Sequence, residues 1–120
     1  MALIESSMMP LGTRAPEFSL ADPRDGGLRS LGDVRGERGT LVMFICNHCP
    51  YVVHIEAALR LLGEEQSDTG IGIVAISAND AQSSPQDGPE RMAQKQYPFP
   101  YLYDESQDIA RAYDAACTPD

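Results

Sequence analysis

The run Leu41-Val42-Met43-Phe44-Ile45-Cys46-Asn47-His48-Cys49-Pro50-Tyr51-Val52 decides how the whole chain is read. Leu41 to Ile45 is short and apolar on both faces, as a strand in the middle of a parallel sheet would be. Pro50 suits the first turn of a helix, because its fixed φ matches and its missing N–H would have had no partner there. Beyond it Val52, Ile55, Ala58, Leu59 and Leu62 recur at helical spacing, giving an apolar stripe that Gly63 and the polar run to Gly70 bring to an end. Cys46 and Cys49 therefore fall where a strand runs into a helix N-terminus. Unpaired N–H groups and a partial positive charge at such an end stabilise an anion, and the thiolate is the reactive form of cysteine. Two cysteines so placed are the minimum equipment for thiol–disulfide exchange.

Upstream, Ala15-Pro16-Glu17-Phe18-Ser19-Leu20 predicts a short strand with Phe18 and Leu20 on one face, and Asp25-Gly26-Gly27 is a turn from which Leu28 begins a return strand. Gly36 to Thr40 is a Gly-rich polar turn. Downstream, Ile71 to Ser77 predicts a second buried strand, followed by a loop over 78–85. Pro85 to Gln96 predicts a weaker helix, since it contains Gly88 and Pro89. Phe99 to Tyr103 predicts a short strand and Glu105 to Ala115 a helix carrying Ile109, Ala112 and Tyr113. Tyr97, Phe99, Tyr101 and Tyr103 sit at strand spacing and are expected to pack in the core. Strand and helix thus alternate after a hairpin, which implies an α/β sheet with right-handed crossovers.

The chain has 120 residues, 42% of them hydrophobic, enough for a single domain over residues 1–120. Its net charge of -9 repels a phosphate backbone, so no nucleic-acid partner is expected. No run approaches the roughly 18 to 20 apolar residues of a membrane span, and Met1 to Ser7 lacks the basic and apolar regions of a secretory signal. No membrane role and a cytoplasmic location are the expectation. Three cysteines are too few for a disulfide-stapled scaffold, and in a reducing compartment they are more often catalytic or metal-binding.

A strand, C-x-x-C at a helix start, a βαβ unit and then Thr118-Pro119 together resemble the thioredoxin superfamily. More narrowly, Ala15-Pro16-Glu17-Phe18-Ser19-Leu20-Ala21-Asp22 with Gly26, Ser30 and Leu31, the Cys46 to Val52 string, and Ile76-Ser77-Ala78-Asn79-Asp80 are similar to the AhpC/TSA redoxins, in the peroxiredoxin-like group whose motif reads CNHCPYV. The resemblance covers Gly12 to Asp120. It implies a thioredoxin-like fold with an N-terminal β-hairpin and a central mixed sheet flanked by helices. It also implies a cis-proline at Pro119, preceded by Thr118, facing the cysteines and offering backbone groups to an extended substrate. In that family the chain continues into a strand beside the central one, an edge strand and a closing helix. A chain ending at Asp120 is therefore expected to be a fragment, or to have another chain or a second copy in that place, as an edge-paired homodimer would supply.

The resemblance leaves two registers. With Phe44 on the phenylalanine of the thioredoxin-like pattern F-W-A-x-W-C-P-x-C, Cys49 is the attacking cysteine, Val52 replaces its usual partner, and Cys46 takes the place of a peroxiredoxin threonine. As a plain C-x-x-C, Cys46 attacks instead. Cys49 before Pro50 sits at the N-cap, where N–H groups converge, whereas Cys46 still finishes the strand; this favours Cys49. The expected activity is that of a thiol–disulfide oxidoreductase, or of a weak thiol peroxidase, since no arginine is assignable to a peroxide site. Cys49 attacks a protein disulfide or a peroxide, Cys46 resolves, and an external dithiol reduces the pair, with no cofactor.

Blander readings stand beside this one. Free cysteines pack as small hydrophobes, so the pair is also a candidate for the core, and Cys117, two residues before Pro119, is either a third redox cysteine approaching the pair or a buried core residue. A metal pair completed by His48, His54 or Cys117 would make the chain a binding module without turnover. His48 either stabilises a neighbouring thiolate or is a half-exposed turn residue, and His54 is expected at the surface.

Overall fold

The computed structural model describes residues 6–79 and 82–120. Five strands among them form one mixed sheet in the order β2-β1-β5-β4-β3. Strands β1 (Ser19–Ala21) and β2 (Leu28–Ser30) make the expected antiparallel hairpin, closed by the bond from Asp22 N–H to the Gly27 carbonyl at 2.8 Å. Between β2 and β3 lies a single-turn helix not foreseen in the sequence, α1 (Leu31–Val34), started by Ser30, which accepts from Asp33 N–H while the Asp33 carboxylate accepts from Ser30 N–H. Strand β3 (Gly39–Phe44) leads through Cys46 into α2 (Pro50–Glu65), and the chain returns in β4 (Ile71–Ser77), parallel to β3. A short 3-10 turn at Pro85–Asp87 and α3 (Pro89–Lys95) precede β5 (Tyr101–Tyr103), parallel to β4, and α4 (Asp108–Ala112) follows.

The strict alternation of a pleated strand sorts the core into two layers. Met43, Ile73, Ala75 and Tyr101 face the layer completed by Val52 and Leu59 of α2 and Met92 of α3. Phe44, Val74, Ile76 and Leu102 face the other, closed by Phe18, Val34, and the partly buried Ile109 and Tyr113. The aromatic run is packing, as expected. Tyr97 and Phe99 stack with centroids 4.9 Å apart, Tyr101 meets Tyr97 edge-on at 5.3 Å, and Tyr103 is half-buried.

Four expectations are corrected. The Leu41 to Ile45 run is not the middle of the described sheet: β4 and β5 hold that place, and β3 lies at its margin, with Leu41 39% exposed. Its inner end is buried, and at its outer edge Phe44 exchanges backbone hydrogen bonds with Asp120, 3.0 Å each way. Gly63 does not end α2. The helix runs on to Glu65, and Gly63 is where it touches the chain before β5: a Cβ there would lie 2.7 Å from Pro98 and 2.8 Å from Phe99. Ala58 turns to solvent rather than to the core. The helix expected from Pro85 to Gln96 is split at Gly88 and Pro89, as an internal proline lacking an N–H requires. In the loop after β4, Asp80 and Ala81 lie outside the described residues, as do Met1 to Glu5.

Candidate active site

Strand β3 ends at Phe44, and Ile45 N–H still reaches the Ile76 carbonyl at 3.0 Å, so Cys46 leaves the sheet one residue later. Asn47 and His48 make the bend. Cys49 is the N-cap residue of α2, with Pro50 at the first helical position, as the sequence predicts. Thr118 and Pro119, joined by a cis peptide bond, come down over the pair: the Thr118 hydroxyl is 3.6 Å from Cys46 Sγ, and the Cys49 thiol points to the Thr118 carbonyl at 3.4 Å. No disulfide joins Cys46, Cys49 or Cys117. Cys46 and Cys49 are each 1% exposed and line the floor of a cleft of about 780 Å³. His48, Tyr51, Arg111 and Cys117 also line it.

The two sulfurs sit in opposite electrostatic environments. Burial raises the Cys46 thiol above its ordinary range; a hydrogen bond with Thr118 opposes that, and the Asp87 carboxylate adds to it. Burial would raise Cys49 too, but hydrogen bonds from Thr118, from the Val52 and Tyr51 N–H groups of the first turn of α2, and from the Cys46 thiol outweigh it and leave Cys49 lowered. The helix end that attracted attention in the sequence therefore acts on Cys49. A lowered thiol is more ionised at neutral pH than an ordinary one. With Cys117 and Cys46 replaced by serine, Cys49 is expected to react with iodoacetamide along a pH curve displaced below that of a free cysteine. A curve at or above the free-cysteine position would contradict this.

His48 joins the site through an acid that sequence reasoning missed. Asp87, fully buried on the 3-10 turn after β4, accepts the Asn47 N–H at 2.8 Å and the His48 N–H at 3.1 Å on Oδ1. Its Oδ2 accepts Asn79 Nδ2 at 2.9 Å and the His48 Nδ1 proton. The loop between the cysteines is thus pinned by one carboxylate. Asn47 is held further by its Nδ2 on the Gln86 carbonyl and by the Tyr101 hydroxyl on its Oδ1. His48 itself is 37% exposed, and His54 lies on the surface. Cys117 is half-buried in the cleft wall rather than in the core, its thiol 3.7 Å from the Pro119 carbonyl.

A mixed sheet with helices on both faces, a cysteine pair at the β3–α2 junction and a cis-proline loop against it define a thioredoxin-like protein. A family model for the AhpC/TSA family matches residues 11–120, and the chain belongs to that family. Among solved structures it is similar to an uncharacterized conserved protein from Geobacillus kaustophilus, at 49% identity and a TM-score of 0.96, covering 100% of this chain and 66% of that one. It is likewise similar to a hypothetical protein from Sinorhizobium meliloti 1021, at 44% identity and a TM-score of 0.91, covering 96% of this chain and 64% of that one. The chain thus spans just under two thirds of the length of both. The thioredoxin domain of a thiol-disulfide oxidoreductase from Bacteroides vulgatus shares the fold at 20% identity, with a TM-score of 0.73 over 93% of this chain and 79% of that one. No curated protein matches the chain.

Proposed function

We propose that the chain is a thiol–disulfide oxidoreductase in which Cys49 attacks and Cys46 resolves. One observation carries this reading: two buried cysteines meet under Thr118 at the start of α2, with Cys49 as the N-cap residue of the helix. The Cys49 thiolate attacks one sulfur of a substrate disulfide, forming a mixed disulfide and releasing the other substrate thiolate. Cys46 Sγ then attacks Cys49 Sγ, and the second substrate thiol leaves. An external dithiol restores both cysteines, so no cofactor takes part. The substrate is a disulfide-containing protein or peptide that lies along the cleft under Thr118. Peroxide is the second substrate class, attacked by the same thiolate to give a sulfenic acid that Cys46 condenses into the same disulfide.

The test is a stoichiometric one. Reduced protein treated with glutathione disulfide should lose two hydrogens in mass, with the new bond mapped to Cys46 and Cys49, and dithiothreitol should return it. Under turnover with dithiothreitol and a protein disulfide, the wild type should accelerate reduction; hydrogen peroxide in place of the disulfide measures the peroxidase arm. A protein that forms no Cys46–Cys49 bond with either oxidant, yet carries a metal that a chelator strips, would be a binding module instead.

A further inference from the structure

Asp87 is a buried, fully engaged carboxylate that attack by Cys49 leaves without a task. Its two oxygens accept four N–H groups, from the Asn47 and His48 backbone, Asn79 Nδ2 and His48 Nδ1. Cys46 Sγ, a His48 ring nitrogen and an Asp87 oxygen lie within 4.8 Å of one another. Such a trio suits either a cation or a proton path. A carboxylate offers about four lone-pair sites, and here N–H donors take them all, so a cation would have to displace bonds that hold the loop together. The proton path needs no displacement. With Nδ1–H committed to Asp87, a neutral imidazole keeps its free lone pair on Nε2.

We propose that His48, held by Asp87, takes the proton from Cys46 in the resolving step. The inference rests on the exchange reading above. Cys46 Sγ attacks Cys49 Sγ of the mixed disulfide; the Cys46–Cys49 bond forms as the bond from Cys49 to the substrate sulfur breaks. The Cys46 thiol proton passes to His48 Nε2 across one water, a reach allowed to a general base. The electron pair leaves on the substrate thiolate, which afterwards takes that proton, so the substrate sulfur is reduced as Cys46 is oxidised. The need for a base is plain, because burial and the Asp87 charge keep Cys46 protonated. Asp87 touches no reacting sulfur. It is a positioning residue that fixes the ring through Nδ1, holds the loop through two backbone N–H groups, and stabilises the imidazolium once formed.

Other titratable groups belong to the same site: Cys49 and Tyr51 at the start of α2, Cys117 before Thr118, and Arg111 on α4, ion-paired with Asp108, line the cleft, and Tyr101 on β5 donates to Asn47 beside His48. The experiment therefore separates the two chemical steps. Reduced wild type, His48→Ala, His48→Gln and Asp87→Asn are mixed with glutathione disulfide, acid-quenched at intervals and weighed as intact protein across neutral and mildly alkaline pH. Wild type should pass quickly through the Cys49 adduct. The variants should form the adduct and stall there, with resolution slowed about a hundredfold. Their resolution rate should climb about tenfold per pH unit, as thiolate supply dictates, and the wild-type rate less steeply. Added imidazole should restore part of the rate to His48→Ala. A merely structural role would slow both steps and leave the slope unchanged, which would overturn the relay. His48→Ala resolving at the wild-type rate and slope would overturn it too. Cys46→Ser, combined with Cys117→Ser, that never carries an adduct on Cys49 would overturn the exchange reading and the relay with it.

Discussion

Cys49→Ser is expected to be unable to form a mixed disulfide, with disulfide exchange reduced by more than about a thousandfold. A serine hydroxyl is far too weak an acid to ionise at neutral pH, so the helix end that lowers Cys49 has no anion to stabilise. Cys46→Ser should behave differently. It keeps the attacking thiolate at the N-cap of α2 and loses only the group that resolves, so the substrate should remain covalently bound to Cys49. The trap is best built with Cys117→Ser as well, because Cys117 lines the same cleft and offers a second resolving thiol. Intact mass after treatment with glutathione disulfide distinguishes the outcomes, since an adduct of one glutathione is resolved from the unmodified chain. With Cys117 replaced by serine in both chains, a stable adduct on Cys49→Ser, with Cys46→Ser inert, would invert the roles and put the attacking sulfur on Cys46.

The parts of the chain that were legible in the sequence are those whose pattern is local. Strand β4 runs from Ile71 to Ser77 as its apolar run predicts, and Pro50 opens α2 as its fixed φ predicts. The Cys49 N-cap, and the thiolate preference that follows from it, needed only the order strand, cysteine, proline. What failed depended on neighbours far along the chain. An apolar run reports burial, not the number of strands beside it, so Leu41 to Ile45 read as central, whereas in the described sheet β3 stands last in the order and its outer edge meets Asp120. Gly63 read as a stop signal because a glycine at a helix end and a glycine at a close crossing look alike, and only Pro98 and Phe99 tell them apart. Asp87 was invisible for a similar reason. Between Pro85 and Pro89 it reads as one more solvated carboxylate. Its burial comes from the Asn47–His48 loop, some forty residues earlier, folding onto it. The available signal was a short turn broken by two prolines, which marks a rigid element but not what it faces.

The largest effect on stability is expected where two backbones touch. The position a Cβ would take at Gly72 lies 2.4 Å from the Val34 carbonyl oxygen and 2.5 Å from the Gly36 nitrogen, and one at Gly36 would lie 2.2 Å from the Gly72 nitrogen. Neither side can yield cheaply. Val34 closes α1, whose start is fixed by the Ser30–Asp33 capping pair, and Gly72 is paired in register with Thr40 of β3. A methyl group at this point must part α1 from the sheet or shift β4, which also carries Val74 and Ile76 into the layer under α4. Gly72→Ala is therefore expected to cost about 3 kcal/mol or more, at the upper end for an overpacked core, and to lower Tm by on the order of 10 °C. Gly32→Ala is the matched control. Gly32 lies within α1, a Cβ there would meet only the Ser30 hydroxyl at 3.7 Å, and alanine is the better helix former by about 1 kcal/mol. Urea and thermal unfolding of the two variants beside the wild type decide the matter. Gly72→Ala melting with the wild type, or above Gly32→Ala, would mean that the contact between α1 and β4 is not held in solution.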